Sequence, residues 1–518
     1  MERITPRQLN YDNILPLAIE SRSNRREFHP VNGQTFSNSN GATICRIDVN
    51  ADSMLDATHS YLECRVNNTS ATADNVLQIN PFTPSWIQRL RIESGGVVIE
   101  DINEYSRLYA MLVLNQCPQE YIRKNLTNQG LYAEPMSGRL NPTAGADAVD
   151  RSCFGPAIMP ADDGNGVSDA DNGCNSISEL IYMPTAQAIL SGLRNKTDPA
   201  AGANNQPNAN GLISYHKNGL TLPASGTAGD NQTQCFPLVS GFLNMDKYIP
   251  LVMMNAGFTL ELTLCDANRI GQNYVQGAGN LGVSQDAVWS VDAIKYVAHL
   301  IDLDRSFYDR LRQVMESSGG VLQLAGQTYR HFVGDLPNGE GPHTITLPAR
   351  VKSVKSIFGT FIRNDNIGRN DCYDTSVFEN GGLTKYRFEI GSVRYPQTDV
   401  NAVTVENDVE LQKAWGKLGD YAHQQAYSRK NVENNGARRN GVDFATGSLL
   451  SAFFIGYDFE AFQRVALESG INTADRSLPI NFICEKVTTG GQSVRADFFV
   501  LTDAIYYINL DGTVSVSV

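Results

Sequence analysis

Charge is sparse in this chain: of 518 residues only 19% are Asp, Glu, Lys or Arg, and the balance is a formal −13 at pH 7. That sign excludes a chain-wide attraction to phosphate backbones or anionic lipid. The one basic cluster, Arg22, Arg25 and Arg26, reads as a solvated arm or a docking segment. No apolar run approaches the ~20 residues of a membrane-spanning helix, because Pro, Asn or a charge interrupts each one. Residues Met1 to Arg7 lack the apolar core of a secretory signal. The nine cysteines contain no C-x-x-C and no histidine at ligand spacing, so they read as reduced, mostly buried thiols. The expectation is a chain folded in a reducing compartment without crossing a membrane, in which the sequons at Asn67 and Asn125 are chance matches.

Catalytic patterns are missing too. The seven histidines form no H-E-x-x-H, and no serine sits in a Gly-x-Ser-x-Gly elbow. A lone histidine such as His299 in a strand reads as a packed residue. Asp162, Asp163, Asn165, Asp169 and Asp171 offer oxygen ligands, but Val167 stands where the third ligand of an EF-hand belongs. Asp302 with Asp304 and Glu406 with Asp408 are carboxylate pairs whose separation the sequence leaves open, so they assign no glycosidase chemistry. The Gly-x-Gly within Gly271 to Ser284 has no Lys-Ser/Thr after it and is not a phosphate loop. No catalytic, cofactor-binding or metal residue is assigned: the chain is expected to be no enzyme and to work through surfaces.

What is present is β structure and an internal echo. Hydrophobic residues make up 42% and aromatics 9%, with 44 glycines, which suits many buried strands joined by turns. A prior of ~150 residues per domain suggests two to four units. Asp101-Ile-Asn-Glu104 outlines a capping box ahead of an apolar stripe at Tyr105, Leu108, Tyr109 and Leu112. Asn407-Asp-Val-Glu410 with Leu411, Ala414, Trp415 and Leu418 repeats it at a constant interval of 306 residues. The stripes predict that Leu108 and Leu418 are both core. Each helix follows a hairpin: Leu90 and Ile92 alternate with charges before Ser94-Gly95-Gly96, and Tyr386, Phe388 and Ile390 do so before Gly391-Ser392. Phe258 to Leu264 and Ser477 to Cys484 are the matching closing strands. Further strands are expected at Ile44 to Val49, Tyr61 to Val66, Val321 to Leu324, Thr344 to Leu347 and Val351 to Ile362. A helix around Ser306 to Met315 should present Phe307, Leu311 and Val314 on one face and end at Gly319-Gly320. The fold class is all-β: two tandem jelly-roll β-sandwiches with short helices and long surface loops.

Several phrases resemble the double jelly-roll major capsid proteins of icosahedral double-stranded DNA viruses, with the flavour of polinton-like viruses and virophages. They are Phe236-Pro-Leu238, Lys247 to Leu262, Ile294 to Leu300, Glu389 to Gln397, Leu411 to Asp420, and Glu468 to Thr473 with Ser477 to Pro479. The Trp-Phe-Asn-Arg phrase of giant-virus relatives is missing; Gly241 to Met245 stands near its place. The resemblance, which spans most of residues 40 to 518, implies a homotrimer whose six jelly rolls form a pseudo-hexagonal capsomer. Its partners would be neighbouring capsomers, a penton protein and minor or cement capsid proteins. It implies no sequence-specific nucleic-acid binding, and any internal membrane would lie beneath the shell without this chain inserted in it. Ile294 to Leu300 resembles the entry to the second roll. The expected boundaries are an N-terminal arm at 1–40, a first jelly roll at 41–270 with a loop insertion at about 130–235, a linker at 271–290 and a second jelly roll at 291–518. The other reading is a large all-β carbohydrate-binding or carbohydrate-active protein, since jelly rolls serve there and aromatics stack on sugars.

Overall fold

The computed structural model of the chain describes residues 20–38, 42–73, 75–118, 121–132, 221–227, 229–275, 285–370, 374–376, 378–420, 422–423, 453–461, 469–474, 478–487 and 493–518. Most of the expected insertion at 130–235, the Asp162 to Asp171 cluster, Ser477 and the first 19 residues of the arm lie outside them.

The first sandwich uses β1 (Ser21–Phe28), β2 (Ile44–Val49), β3 (Met54–Asn68), β4 (Ile87–Ser94), β5 (Val97–Asn103), β6 (Asn231–Phe236), β7 (Phe258–Leu264) and β8 (Trp289–Leu303), with α1 (Tyr105–Gln116) after β5. One sheet runs β1-β8-β3-β6 and the other β2-β7-β4-β5, antiparallel throughout. Alternation sets the register: on β2, Cys45, Ile47 and Val49 are buried while Ile44, Arg46 and Asp48 face out. A slip of one residue would turn all six side chains over.

After α2 (Arg305–Ser317) the second sandwich repeats the plan with β9 (Val321–Leu336), β10 (Gly341–Leu347), β11 (Val354–Arg363), β12 (Leu383–Ile390), β13 (Val393–Asn401), α3 (Val405–Ala414), β14 (Ile455–Asp458), β15 (Ile480–Lys486) and β16 (Val494–Asn509). Its sheets run β9-β16-β11-β14 and β10-β15-β12-β13, so each strand takes the place of the one eight before it. The chain then turns at Gly512 into β17 (Val514–Ser517), which pairs with β16. β4 and β12 match residue for residue. Leu90 and Ile92 are buried as Tyr386 and Phe388 are, and Arg91 reaches Glu93 (2.6 Å) as Arg387 reaches Glu389 (2.9 Å). The structural interval is therefore 296 residues, from Arg91 to Arg387, not 306.

That difference corrects the helix starts. Asp101 is a strand residue paired with Arg89, and Asn407 lies inside α3, which begins at Val405 after Thr404. Neither expected capping box forms. The stripe residues Tyr105, Leu108 and Tyr109 are buried, as are Leu411, Ala414 and Trp415, but Leu418 lies beyond the end of α3 and is 53% exposed. On α2 the buried residue is Met315, and Val314 is exposed. Asp304 caps α2 by accepting from the Ser306 N–H (3.3 Å).

Sheet membership also departs from the expected seams. Ser21–Phe28, placed in the arm, is an edge strand. Gly271–Val275, placed in the linker, pairs with Asn75–Ile79 in a small third sheet that also holds Thr221–Pro223. The strand containing Ile294 to Leu300 is β8, hydrogen-bonded between β1 and β3, so it closes the first sandwich rather than opening the second. Local alternation marks a strand but carries no record of which neighbour it pairs with.

Candidate functional site at the joint between the sandwiches

Among the described residues no group of three or more His, Cys, Asp or Glu is placed to hold a metal. The carboxylate pairs have local duties: Asp302 accepts from Asn24 (2.5 Å), Asp304 caps α2, and Glu406 accepts from the Asn401 N–H (3.1 Å). The His299 ring lies 6.0 Å from that of His59. Chemistry is instead concentrated where the sandwiches meet.

The joint starts at Glu104, the residue between β5 and α1. It sits in the left-handed region (φ 51), which costs a side chain of its type ~1 kcal/mol or more. This backbone turn aims its carboxylate away from the helix and into a buried ion network. Arg269 grips it with two hydrogen bonds (3.0 and 2.8 Å), and Arg495 of β16 adds a third contact at 2.9 Å. Burial alone would raise the Glu104 carboxyl, but Arg269 and then Arg495 outweigh it and hold it well below the usual carboxylate range. Arg269 also donates to Asp374 (2.8 Å); burial there wins over Arg269, and the Asp374 carboxyl is raised.

One helical turn on, Arg107 leaves α1 and enters the second sandwich. Its guanidinium lies 3.2 Å from Asp497 of β16, with both side chains 1% exposed. It donates to the Thr360 hydroxyl (3.1 Å), the Asp374 carbonyl (2.8 Å) and the Phe361 carbonyl (3.0 Å), and lies over the Phe378 ring. Burial depresses the Arg107 pKa, as expected of a cation so far from water. Asp497 also receives His331 of β9 (2.9 Å) and Arg495 (2.8 Å). Burial would raise it, but His331, Arg495 and Arg107 together hold it low. Three carboxylates thus face three arginines and a histidine across the seam.

A second group of contacts begins within β5 itself. Glu100, buried, accepts from the Ser240 hydroxyl, from the Gly241 N–H (2.9 Å) and, across the joint, from the Thr328 hydroxyl of β9. Burial raises its carboxyl despite these donors. Gly241 packs so closely on the Gln327 carbonyl that a Cβ would overlap it. Phe242 meets Tyr506 edge-on with centroids 5.2 Å apart, and the Asn255 N–H donates to the Gly512 carbonyl (3.0 Å). A cleft of about 560 Å³ opens beside Gly241, Tyr329 and Lys355. The apolar core of the first sandwich continues through the joint to Phe358, Phe499 and Tyr506, while Phe361, Phe388, Phe482 and Phe498 anchor a separate core in the second. Packing and ion pairs therefore fix the two sandwiches into one body.

The joint residues carry a faint sequence signal. Arg107 is the lone charge between Tyr105 and Leu114, and Asp497 directly precedes the apolar run Phe498 to Leu501. A charge isolated in an apolar run implies a buried partner, but the partners lie hundreds of residues apart.

Two sandwiches of one topology in tandem, joined by a buried seam, define the double jelly-roll class of proteins. Neither a protein-family model nor a curated protein sequence matches the chain. Solved structures do. PBCV-1 VP54, fitted into a cryo-EM reconstruction of the virophage Sputnik, aligns with a TM-score of 0.52 at 10% identity, over 98% of this chain and 99% of that one. The Faustovirus major capsid protein aligns at 0.50 and 9% identity over 96% and 92%. The Sputnik virophage structure aligns at 0.50 and 10% identity over 100% and 93%. This chain shares their fold.

Proposed function

We propose that this chain is the major capsid protein of an icosahedral virus, assembling as trimeric pseudo-hexagonal capsomers. The observation that carries the reading is coverage: both sandwiches, in the same order, match over nearly the full length of a capsid chain. A rigid joint between like-shaped halves suits a tile, because six similar sandwiches fill a hexagonal outline whereas one sandwich per chain would need six subunits. Sparse charge lets the flanks of such tiles pack at large interfaces. In this reading the boundary between units falls between β8 and α2, and residues 304–320 take the role of linker. Neighbouring capsomers, a penton protein and minor or cement proteins are the partners, and the virion is the location. No described helix is long and apolar enough to cross a membrane. The activity is structural rather than catalytic. The carbohydrate-binding alternative is not favoured, because the matching chains are capsid proteins.

Mass photometry of the purified full chain tests this. A species near three times 56.8 kDa is expected, with hexagonal particles by electron microscopy. A stable monomer that binds glycans would overturn it.

A further inference from the structure

A buried set of titratable side chains stands apart from the arginine network, within the second sandwich. β11 pairs with β16 at Val354 with Thr502 and again at Ser356 with Leu501, so Lys355 between them is the extra residue of a bulge. A bulge re-aims a side chain, and this one lays the Lys355 ammonium between two carboxylates. Its Nζ is 2.7 Å from Glu460 Oε1 and 3.2 Å from Asp503 Oδ1, with the lysine, glutamate and aspartate side chains 6%, 10% and 3% exposed.

Each of the three is held in place. The Phe459 N–H donates to the Lys355 carbonyl (2.7 Å), which sets Glu460 beside the lysine, and the Ser469 hydroxyl donates to Glu460 Oε1 (3.0 Å). The Ser353 hydroxyl accepts from the Gly470 N–H (3.1 Å), which directs its own proton at Asp503 Oδ2 (2.8 Å). One oxygen of Asp503 is thus gripped by a donor while the other faces an amine. Lys355 and Asp503 both line the cleft at the joint, which gives a small product a way out.

We infer that Lys355 and Asp503 condense into an isopeptide bond within the chain, with Glu460 as the proton carrier. Glu460 takes a proton from the ammonium and passes it to Asp503 Oδ1. The amine lone pair then adds to Cγ of the neutral acid, and the negative charge gathers on Oδ2 beneath the Ser353 hydroxyl. Nitrogen gives up a second proton through Glu460, the Cγ–Oδ1 bond breaks, and Oδ1 leaves as water. One amide N–H and one water account for the three ammonium protons, Glu460 ends as it began, and no outside reagent is consumed. Burial would lower the Lys355 pKa, but Glu460 and then Asp503 outweigh it, so the amine rests protonated and the step is slow. A reaction made once per chain tolerates that, because reactive groups held in contact reach effective molarities of ~10⁵ M or more. The bond ties β11 to β16, and the inference stands independently of the capsid reading.

Intact-mass spectrometry of the denatured full-length chain tests it, after prolonged incubation of the folded protein at neutral pH. The wild-type chain should be lighter than its sequence by one water, about 18 Da, and its digest should hold a branched peptide that joins Lys355 to Asp503. Glu460→Gln keeps the shape of the proton carrier without its basicity and should form the bond at least tenfold more slowly. Lys355→Met should keep the full sequence mass and, with its long loop unclosed, migrate more slowly than the wild-type chain on a denaturing gel. A wild-type chain of full sequence mass would overturn the inference, whether or not the variants fold. So would a loss of water that maps to a succinimide at Asp511-Gly512, or a Glu460→Gln chain that forms the bond as fast as wild type.

Discussion

Arg107→Met keeps length and apolar bulk on α1 but removes the charge that crosses the seam. In the native joint the guanidinium neutralises Asp497 at 3.2 Å and donates to Thr360, Asp374 and Phe361. Removing one partner of a pair buried this deeply costs ~3–5 kcal/mol, because the other charge stays behind without water. Two buried carbonyls also lose their donor, at about 1–3 kcal/mol each, although such losses do not simply add. Arg495 and His331 still hold Asp497, so the expected total remains near ~3–5 kcal/mol. For a cooperative unit of about 200 residues, each kcal/mol shifts Tm by ~2–4 °C, which places the variant on the order of 10 °C below wild type. Because Arg107 links the sandwiches, the calorimetric endotherm should also separate into two. The control is Arg65→Met, whose partly exposed pair with Asp292 spans β3 and β8 within one sheet and should cost no more than about 1 kcal/mol. A single endotherm for Arg107→Met within about 2 °C of wild type would refute the view that this network couples the halves.

Three further outcomes follow from the same geometry. Leu108→Asp, at a buried position of α1, should yield insoluble protein, whereas Leu418→Asp, already half in solvent, should express and melt like wild type. Gly241→Val should separate the Ser240 to Met245 turn from β9 and lower Tm by several degrees, checked by calorimetry, because the added side chain has no room against Gln327. The carboxyls of Glu104 and Asp497 lie below their unfolded values, so their stabilisation is complete above about pH 4.5 and is lost as pH falls through their folded values. Burial-raised Asp374 and Glu100 act in the opposite sense. Glu104→Gln should accordingly flatten the fall in Tm between pH 5 and pH 3 relative to wild type, and an unchanged slope would show that Glu104 carries none of it.

Much of the architecture was legible in the residues. β2 and β7 fall where alternation of apolar and polar side chains places them, and both hairpins turn at their glycines. The helical stripes were legible as buried faces, yet their caps were not. A carboxylate ahead of an apolar run looks the same whether it caps the helix, as Asp304 does, or turns away to meet arginines, as Glu104 does. The equal spacing of the two stripes was likewise a coincidence of helical period. The true repeat is carried by β4 and β12, where charge and burial match together.

Composition and local period thus determined by themselves that this chain is all-β, with a strand-turn-strand-helix pattern that occurs twice. Which sandwich owns β8, what Arg107 reaches, and why α1 is enclosed while α3 stands bare were decided only in three dimensions. Strand order and ion pairing join residues up to several hundred positions apart, and neither leaves a periodic trace along the chain.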